Sequence, residues 1–339
     1  MVQRRLLELF ACPRCGAPLA AGPEAADPSS EPSTAGPSGD PASVACARGH
    51  RFPADHGYLD FSGGAVPDAT TARTFESFGY EWNTFDDVRE EDTEFATVYF
   101  RDLDMASLQG KVGLDAGCGK GRYTRLLAPH LDGLIALDGS SAVEAAARNL
   151  ASFPNVVVVR SDLRTVPVVP GRLDLVVCLG VLHHLADPRQ GFAGLVRLLA
   201  PGGRILVYLY SRPAAFGVRR LALAAARLLR TVTVRTPHPL LRALCVPVAA
   251  LLYVGVVRPG AIGARTGVGP LARLPMATYR GKSFRSLFLD TFDRLSAPVE
   301  HRYVWPDLAP WFEEEGLVVE AAREEAGWFV LAHLPAPQL

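Results

Sequence analysis

The chain has 339 residues, of which 49% are hydrophobic and 21% charged, so it has enough apolar material for one or two folded domains. This composition excludes a chain that is disordered throughout. The longest uncharged apolar run, Ala243–Val257, contains Pro247 and is shorter than the ~20 residues of a spanning helix, which excludes a polytopic membrane protein. The six cysteines form no disulfide framework, which predicts a reducing, cytoplasmic environment.

The charges are distributed unevenly along the chain, although the net charge is zero. Residues 188–289 contain 16 Arg or Lys and no Asp or Glu, so the rest of the chain is acidic. Such an asymmetry is typical of a region that meets an anionic partner. Two halves that neutralise each other within one fold would show the same asymmetry, and both interpretations stay open here.

Residues 1–62 are predicted to form a small zinc-binding unit. They contain two close pairs of metal ligands, Cys12 with Cys15 and Cys46 with His50. Two such pairs are what a tetrahedral zinc site needs, and four protein ligands would close the coordination shell. The sequence therefore predicts structural zinc.

Three further features surround these pairs. His56 is an alternative fourth zinc ligand. Residues 21–43 are rich in Pro, Ser, Gly and Ala and are predicted to be a disordered insertion. Residues 70–110 are predicted to be a helical lead-in rich in aromatic side chains, in which Phe78–Trp82 either cover a ligand or belong to the core.

From residue 111 to 210, short apolar strands alternate with helical stretches, which predicts a parallel sheet with helices on both faces. Residues 211–305 break this rhythm, and 306–339 resume it. The predicted helices are Arg122–Pro129, Ala142–Ala151 and Pro188–Leu199. The predicted strands are Val112–Ala116, Leu134–Leu137, Val156–Val159, Leu173–Cys178, Arg204–Tyr210, Gly316–Glu320 and Trp328–Leu334. The fold class is thus α/β and Rossmann-like, with 211–305 inserted before the last helix and strands.

A glycine-rich turn follows the first strand of the sheet. Its sequence over Leu114–Gly121 is LDAGCGKG, and the glycines let the backbone approach a ligand closely, with amide groups predicted to face it. A ribose-binding acid is expected at the end of the second strand, where Asp138 stands 21 residues after Gly117. The spacing of the glycines in this turn differs from the G-x-G-x-x-G of dinucleotide enzymes. Asp115 stands two residues before the first of these glycines, Gly117. A carboxylate at that position suits a cationic ligand group.

The ordered motifs LDAGCGKGR, LDGS, SDL, LDLVVCLGVLHHLADP and PGG resemble those of class I S-adenosylmethionine-dependent methyltransferases. The resemblance covers 111–210 and, more weakly, 306–334. It implies the class I methyltransferase sheet and S-adenosylmethionine as cofactor. The implied cofactor-binding residues are Asp115, Gly117 and Gly119 at the methionine moiety, Asp138 and Gly139 at the ribose, Asp162 and Leu163 at the adenine, and Leu179 and Gly180 near the sulfonium. The alternatives are that Asp138 is a helix cap and Asp162 a turn residue.

His183 and His184 follow the fourth strand, at the sheet edge where α/β proteins bind ligands. A base helps methyl transfer when the acceptor is a hydroxyl or a protonated amine, and an imidazole can serve near neutral pH. We therefore predict that one of the two, His183 before His184, is catalytic. The alternative is that they pack against the loop or orient it.

Two outer segments carry resemblances of their own. CPRCGAPL, CARGHRF and GYLDF within 1–62 resemble the zinc ribbon that precedes a bacterial 23S rRNA guanine-N1 methyltransferase. TFDRLSAP and WFEEEGL near the C-terminus resemble a broad group of methyltransferases of mostly unassigned substrate. The rRNA substrate is not carried over to this chain.

Residues 214–230 are predicted to form a basic amphipathic helix with Arg219, Arg220, Arg227 and Arg230 on one face. Such a helix suits an anionic membrane surface or an acidic substrate. The alternative is a solvated basic face over a helical core. The whole segment 211–305 is predicted to be a mainly helical cap over the acceptor pocket.

Together these features predict an S-adenosylmethionine-dependent methyltransferase acting on a small molecule, such as a secondary metabolite, a glycan or a lipid-linked precursor. An anionic or lipid-linked acceptor fits the basic segment best, and nucleic acid is a less favoured partner. The expected location is the cytoplasm, with a weak peripheral contact to the membrane. The alternatives are an RNA methyltransferase, and a non-catalytic scaffold that keeps the cofactor site.

Overall fold

A computed structural model describes residues 4–21, 43–63, 67–213 and 217–337. Most of the predicted disordered insertion and the start of the predicted basic helix lie outside these residues. The chain divides into two compact units, one formed by Met1–Ser211 with His301–Leu339 and the other by Arg212–Glu300. We call them the sheet unit and the helical unit.

The elements are named in chain order. The strands are β1 Leu19–Ala21, β2 Ser43–Cys46, β3 Arg51–Pro53, β4 Leu59–Asp60, β5 Val112–Ala116, β6 Gly133–Asp138, β7 Val156–Arg160, β8 Leu173–Leu179, β9 Leu199–Tyr210, β10 Val318–Glu324 and β11 Gly327–His333. The α-helices are α1 Arg4–Leu7, α2 Ala69–Thr84, α3 Glu90–Tyr99, α4 Thr124–Leu127, α5 Val143–Leu150, α6 Pro188–Val196, α7 Val218–Thr233, α8 His238–Leu252, α9 Arg258–Thr266, α10 Gly269–Ala272, α11 Phe284–Ser296 and α12 Trp305–Glu314.

The sheet unit is built on one eight-stranded sheet in the order β10-β11-β9-β8-β5-β6-β7-β4. The strands from β9 to β4 in this order are parallel, whereas β11 pairs antiparallel with β9 and β10 antiparallel with β11. The predicted Rossmann-like α/β class is confirmed. The chain passes from β5 outward to β6 and β7 and then returns to β8 on the other side of β5. That reversal creates the crevice at the carboxyl ends of the strands where open α/β sheets bind ligands.

The strands next to this crevice are apolar on both faces because helices cover both sides of the sheet. Leu114 of β5, Ile135 of β6 and Val176 of β8 are fully buried. Near-continuous apolar runs are typical of parallel strands enclosed in this way. The crevice therefore lies at the edge of a tightly packed layer of buried strands.

The strand β9 begins five residues before the predicted Arg204, so Pro201-Gly202-Gly203 lies inside the strand. Gly202 has a positive φ of 81°, and a Cβ on Gly203 would be 2.7 Å from the carbonyl oxygen of Leu173. The register of β8 and β9 shifts at this point. Glycine thus lets the strand continue through an irregularity at a position where the sequence suggests the end of a helix.

The N-terminal segment shares the core of the sheet unit. Strands β1, β2 and β3 form a small antiparallel sheet, and β4 pairs with the edge strand β7. Phe10 and Phe61 stack with ring centroids 5.9 Å apart, and both belong to the cluster of buried side chains that includes Ile135. The segment therefore protects an edge of the main sheet, which would otherwise expose unpaired backbone groups.

The helical unit contains α7 to α11, and both α7 and α8 contact α11. A π-helical turn, Tyr253–Val257, joins α8 to α9, so one helix runs through His238–Thr266. This helix has 29 residues, and by length and composition it is sufficient to cross a membrane. The prediction that no stretch is long and apolar enough to span a bilayer was wrong, because the helix continues through Pro247 and beyond Arg242 and Arg258, which bound the uncharged run.

Candidate cofactor site and metal cluster

The glycine-rich turn joins β5 to α4 at the carboxyl edge of the sheet. Gly117 and Gly119 have positive φ values of 86° and 54°. A Cβ on Gly117 would overlap the side chain of Val181, and one on Gly119 would be 3.1 Å from the indole nitrogen of Trp82. Backbone conformation and lack of space therefore both require glycine here.

The amides of this turn bind the neighbouring strand and do not face the crevice. The backbone N–H groups of Gly117 and Cys118 donate to the carbonyl oxygen of Leu137, at 2.7 and 2.9 Å. The N–H of Gly119 donates to Oδ2 of Asp138 at 3.0 Å. The expectation that these amides point at a ligand was wrong, because the end of β6 uses them. Their effect is to fix the turn against β6.

Asp138 is held at the end of β6 as an oriented acceptor. Its Oδ1 accepts hydrogen bonds from the backbone N–H and the hydroxyl of Ser140, at 2.8 and 2.6 Å. Helix α5 begins five residues later with Ala142 at its N-cap, so Asp138 does not cap it. A carboxylate has about four acceptor positions, and the contacts from Gly119 and Ser140 use three. A Cβ on Gly139 beside it would overlap the Phe75 ring.

Asp115 is a buried carboxylate two residues before Gly117, with only 2% of its surface exposed. Burial raises its pKa from 3.8 to about 6, the nearby Asp138 acts in the same direction, and the Thr124 hydroxyl that donates to Oδ2 opposes the rise. A cationic group would favour the ionised form. The environment thus suits a ligand ammonium, as the resemblance implies.

Asp162 follows β7 and caps a single 3-10 turn, Leu163–Thr165, by accepting from the N–H of Arg164 at 2.8 Å. The Arg164 guanidinium also pairs with its carboxylate, at 2.7 Å between Nη2 and Oδ2. This geometry fits the alternative that Asp162 is a turn residue. Its contact with an adenine, and that of the buried Leu163, stay predictions.

Leu179 and Gly180 stand where β8 ends, beside the turn after β5. Gly180 has a positive φ of 79°, and its N–H donates to the carbonyl oxygen of Tyr208 at 3.1 Å. The chain then turns into the one-turn 3-10 helix Leu182–His184. Both residues therefore lie at the same sheet edge as Asp115 and Asp138, where the resemblance places the sulfonium.

His183 and His184 are buried, with 0% and 4% of their surfaces exposed. The His183 ring stacks on Tyr210 with centroids 3.9 Å apart, and the His184 ring packs 5.0 Å from Phe78. Neither imidazole is open to solvent in this conformation, which favours the packing alternative. Proton transfer by His183 or His184 stays a prediction.

Helix α2 and the segment after it contribute contacts that the sequence only hinted at. Lys120 is 1% exposed, and its Nζ donates to the carbonyl oxygens of Phe85 and Asp87, at 3.2 and 2.6 Å. The guanidinium of Arg122 lies 4.9 Å from the ring centre of Trp82. The aromatic lead-in therefore packs directly on the glycine-rich turn, and the clustered aromatics were the only signal for it.

The four predicted zinc ligands come together in the structure. The Cys15 and Cys46 sulfurs are 3.7 Å apart, and Nδ1 of His50 lies 3.4 and 3.5 Å from the sulfurs of Cys12 and Cys46. Zn–S and Zn–N bonds of about 2.3 and 2.0–2.1 Å at tetrahedral angles require about 3.8 Å between sulfurs and about 3.6 Å between sulfur and nitrogen. The donor set and its spacing therefore fit tetrahedral zinc.

Two further details describe this cluster. Burial alone would raise the pKa of Cys46, but hydrogen bonds from the backbone of Arg48 and His50 lower it to about 6, which favours the thiolate that binds metal. His56, the alternative ligand, lies outside the cluster, and its Nε2 is 3.6 Å from Asp55. The structure therefore selects His50.

The predicted basic face of α7 is only partly formed. Arg220 and Arg227 are exposed, but Arg230 is 9% exposed. Its Nη2 donates to Glu300 at 2.7 Å and its Nε to the carbonyl oxygen of Arg294 at 2.9 Å. Arg230 therefore stabilises the helical unit and is not available to an anionic partner. The side chain of Arg219 lies outside the described part of the chain.

Residues 114–207 match the family described as "Methyltransferase domain". The ubiquinone biosynthesis O-methyltransferase of Pseudomonas paraeruginosa is 32% identical over 115 residues, 32% of this chain and 48% of the relative. A probable S-adenosylmethionine-dependent methyltransferase of Mycolicibacterium smegmatis is 36% identical over 98 residues, 29% of this chain and 37% of the relative.

Among solved structures, the chain is similar to Burkholderia thailandensis 1,6-didemethyltoxoflavin-N1-methyltransferase, with 13% identity, a TM-score of 0.48 and coverage of 80% of this chain and 92% of that one. The chain spans only 29–48% of the length of the curated relatives it matches. The matched residues coincide with β5 to β9 and their turns. Residues 114–207 are therefore a methyltransferase domain of the S-adenosylmethionine-dependent class.

Proposed function

We propose that the whole protein is an S-adenosylmethionine-dependent methyltransferase whose acceptor is a small, lipid-linked molecule. One observation carries the proposal. The carboxylates of Asp115 and Asp138 stand at the carboxyl ends of two adjacent parallel strands, with a turn between them in which side chains have no room. That arrangement suits a ligand with an ammonium group and a ribose, which S-adenosylmethionine combines.

When bound, S-adenosylmethionine supplies the methyl group as a sulfonium. Asp115 would bind the ammonium group, and the remaining acceptor position of Asp138 would bind a ribose hydroxyl. Transfer is an in-line displacement in which the charge on sulfur disappears, so the protein acts mainly by aligning the acceptor and excluding water. The buried β5, β6 and β8 provide the rigid base for that alignment.

The lipid-linked acceptor is inferred from two observations. The helical unit exposes large apolar side chains, such as Leu228 and Leu251 at 72% and 74% of their surfaces. One relative is named for ubiquinone biosynthesis. A secondary metabolite or glycan without a lipid group would not need such a surface. Coverage of the acceptor pocket by 211–305 stays a prediction.

We further propose that Cys12, Cys15, Cys46 and His50 bind one structural zinc ion. The separations of the donor atoms support this assignment. Four protein ligands leave no coordination position for a substrate, so the metal would stabilise the fold. Through β4 it would also stabilise the edge of the main sheet.

Transfer of label from methyl-labelled S-adenosylmethionine tests the acceptor class. The protein is incubated separately with a lipid extract of bacterial membranes and with bacterial ribosomal RNA. We expect label in the organic phase of the lipid reaction, and none with Asp138→Ala, while the exposed control Asp132→Ala behaves as wild type. Label in RNA alone would support the RNA alternative and overturn the acceptor proposal. No label in either reaction would favour the scaffold alternative.

A further inference from the structure

The helical unit carries nearly all the large apolar side chains that are exposed in the described residues. Of thirteen large apolar side chains that are exposed in the described residues, twelve belong to Arg212–Glu300. Scattered exposed apolar residues are normal, but a concentration in one unit marks an interaction surface.

Most of the exposed side chains follow helical spacing. In α8 they are Leu240, Leu244, Val246, Val248 and Leu251, and separations of four, four and three residues place all of these except Val246 on one face. We call this the outer face of α8. In α7 they are Leu221, Leu228, Leu229 and Val232, of which Leu221, Leu228 and Val232 have the same kind of spacing. Two successive helices thus each present an apolar face to solvent.

The outer face of α8 is distinct from the face that packs within the unit. Leu241, Cys245 and Ala249 are buried at 1%, 0% and 0%, each one residue after a member of the outer face. Helix α8 contacts α11 within this unit. The helix is therefore apolar on two sides, and only one of them belongs to the core of its own unit.

The charge of the helical unit indicates what covers the outer face. Residues 212–300 contain 14 Arg or Lys and three Asp or Glu. Arg242 near the start of the long helix, and Arg258 and Arg265 near its end, are exposed. Cations at both ends of an apolar face complement anionic headgroups above acyl chains. An RNA partner would use the cations but not the leucines.

We propose that the helical unit docks on an anionic lipid bilayer, with α8 lying in the interface and its outer face inserted among the acyl chains. The uncharged stretch Ala243–Val257 has 15 residues and extends about 22 Å, which is shorter than the ~30 Å hydrocarbon core. Its inner face is also committed to α11, which carries Asp290 and Asp293. The 29-residue helix as a whole is long enough to cross a bilayer, but its short uncharged stretch and its contact with α11 favour lying in the interface. Docking on the bilayer does not depend on methyl transfer. If the proposed function holds, docking would also bring the protein to a lipid-linked acceptor.

Vesicle flotation tests the apolar part of the proposal. The whole protein is mixed with phosphatidylcholine vesicles, with and without phosphatidylglycerol. We expect the wild type to float with the anionic vesicles. The variant Leu244→Gln/Leu251→Gln keeps the charge, and its partition coefficient should fall roughly a hundredfold. Val318→Gln, at the exposed apolar residue of the sheet unit, is the matched control and should float as the wild type does.

A second variant tests the charge. Arg242→Gln/Arg258→Gln/Arg265→Gln should reduce partition to the anionic vesicles roughly a hundredfold, and wild-type flotation should weaken as salt is added. Far-ultraviolet circular dichroism checks that every variant is folded, independently of cofactor binding.

Three results would overturn the proposal. In the first, the leucine variant floats as well as the wild type. In the second, the wild type is retained by RNA but not by vesicles. In the third, the bound protein resists extraction by alkaline carbonate as a spanning protein does.

Discussion

The ionisation of Asp115, a residue of the candidate cofactor site, lowers the free energy of unfolding. Its carboxylate is buried, and its pKa is raised to about 6. The native state therefore binds this proton more tightly than the unfolded state, whose pKa is near 3.8. It follows that the free energy of unfolding decreases as the pH rises from about 4 through about 6, and that the loss is complete at neutral pH. A ligand cation would offset this cost only when it is bound.

The substitution Asp115→Asn removes that ionisation. We expect the variant to be more stable than the wild type by about 1–3 kcal/mol at neutral pH, and by little near pH 4. It should also lose most of its affinity for S-adenosylmethionine. Urea unfolding at both pH values measures the first effect, with the exposed Asp132→Asn as control. If Asp115→Asn is less stable than the wild type at neutral pH, the buried Asp115 charge does not lower the free energy of unfolding as we infer.

Residues of the site differ in how far the sequence predicts them. Asp115 and Asp138 are predictable because strand ends and glycines fix their positions. The salt bridge between Asp162 and Arg164 is not, because the SDL motif gives no reason to choose a partner two residues away. The contacts of Lys120 with Phe85 and Asp87 are also unpredictable, because a lysine beside glycines suggests an exposed side chain.

At the scale of elements, the metal cluster and the main sheet are linked by a strand of two residues. Leu59 and Asp60 of β4 pair with Val159 and Arg160 of β7. Nothing in a two-residue strand marks it in the sequence, so the shared core of the two sheets becomes apparent only in the structure. Loss of the metal should therefore affect more than the segment that holds it.

We predict that Cys12→Ser/Cys46→Ser loses zinc and lowers the stability of the whole sheet unit. The expected loss is about 3 kcal/mol or more, or roughly 6–12 °C in Tm. Metal analysis and thermal unfolding measure the two effects on protein purified without chelator. His56→Ala, in the same segment but outside the cluster, should keep about one zinc per chain. Stoichiometric zinc in the double variant would contradict the ligand assignment.

The long helix of the helical unit shows the limit of reading elements from sequence alone. A proline and an arginine divide the apolar run in the sequence, but the structure continues through both. Proline removes one backbone donor and strains its helix, yet α8 continues through Pro247. The π turn at Tyr253–Val257 then shifts the helical phase without ending the helix.

Across the whole molecule, the uneven charge of the sequence corresponds to two structural units. The sheet unit holds the candidate cofactor site and all but three of the 35 acids, whereas the helical unit holds 14 Arg or Lys against three acids. The sequence predicts the fold class because alternating strands and helices leave few arrangements. It does not predict which face of α7 packs, since Arg230 meets Glu300, 70 residues later, and so Leu228 is exposed.

The central claim is that the crevice beside β5 binds S-adenosylmethionine, and calorimetric titration of the whole chain tests it most directly. We predict one molecule bound per chain. Asp138→Ala should weaken binding by roughly 2–4 kcal/mol, because a charge-assisted acceptor is lost and a ribose hydroxyl is left unpaired. Asp132→Ala, at the amino end of the same strand, should bind as the wild type does. A wild type that does not bind, or an Asp138→Ala variant with unchanged affinity, would contradict the account.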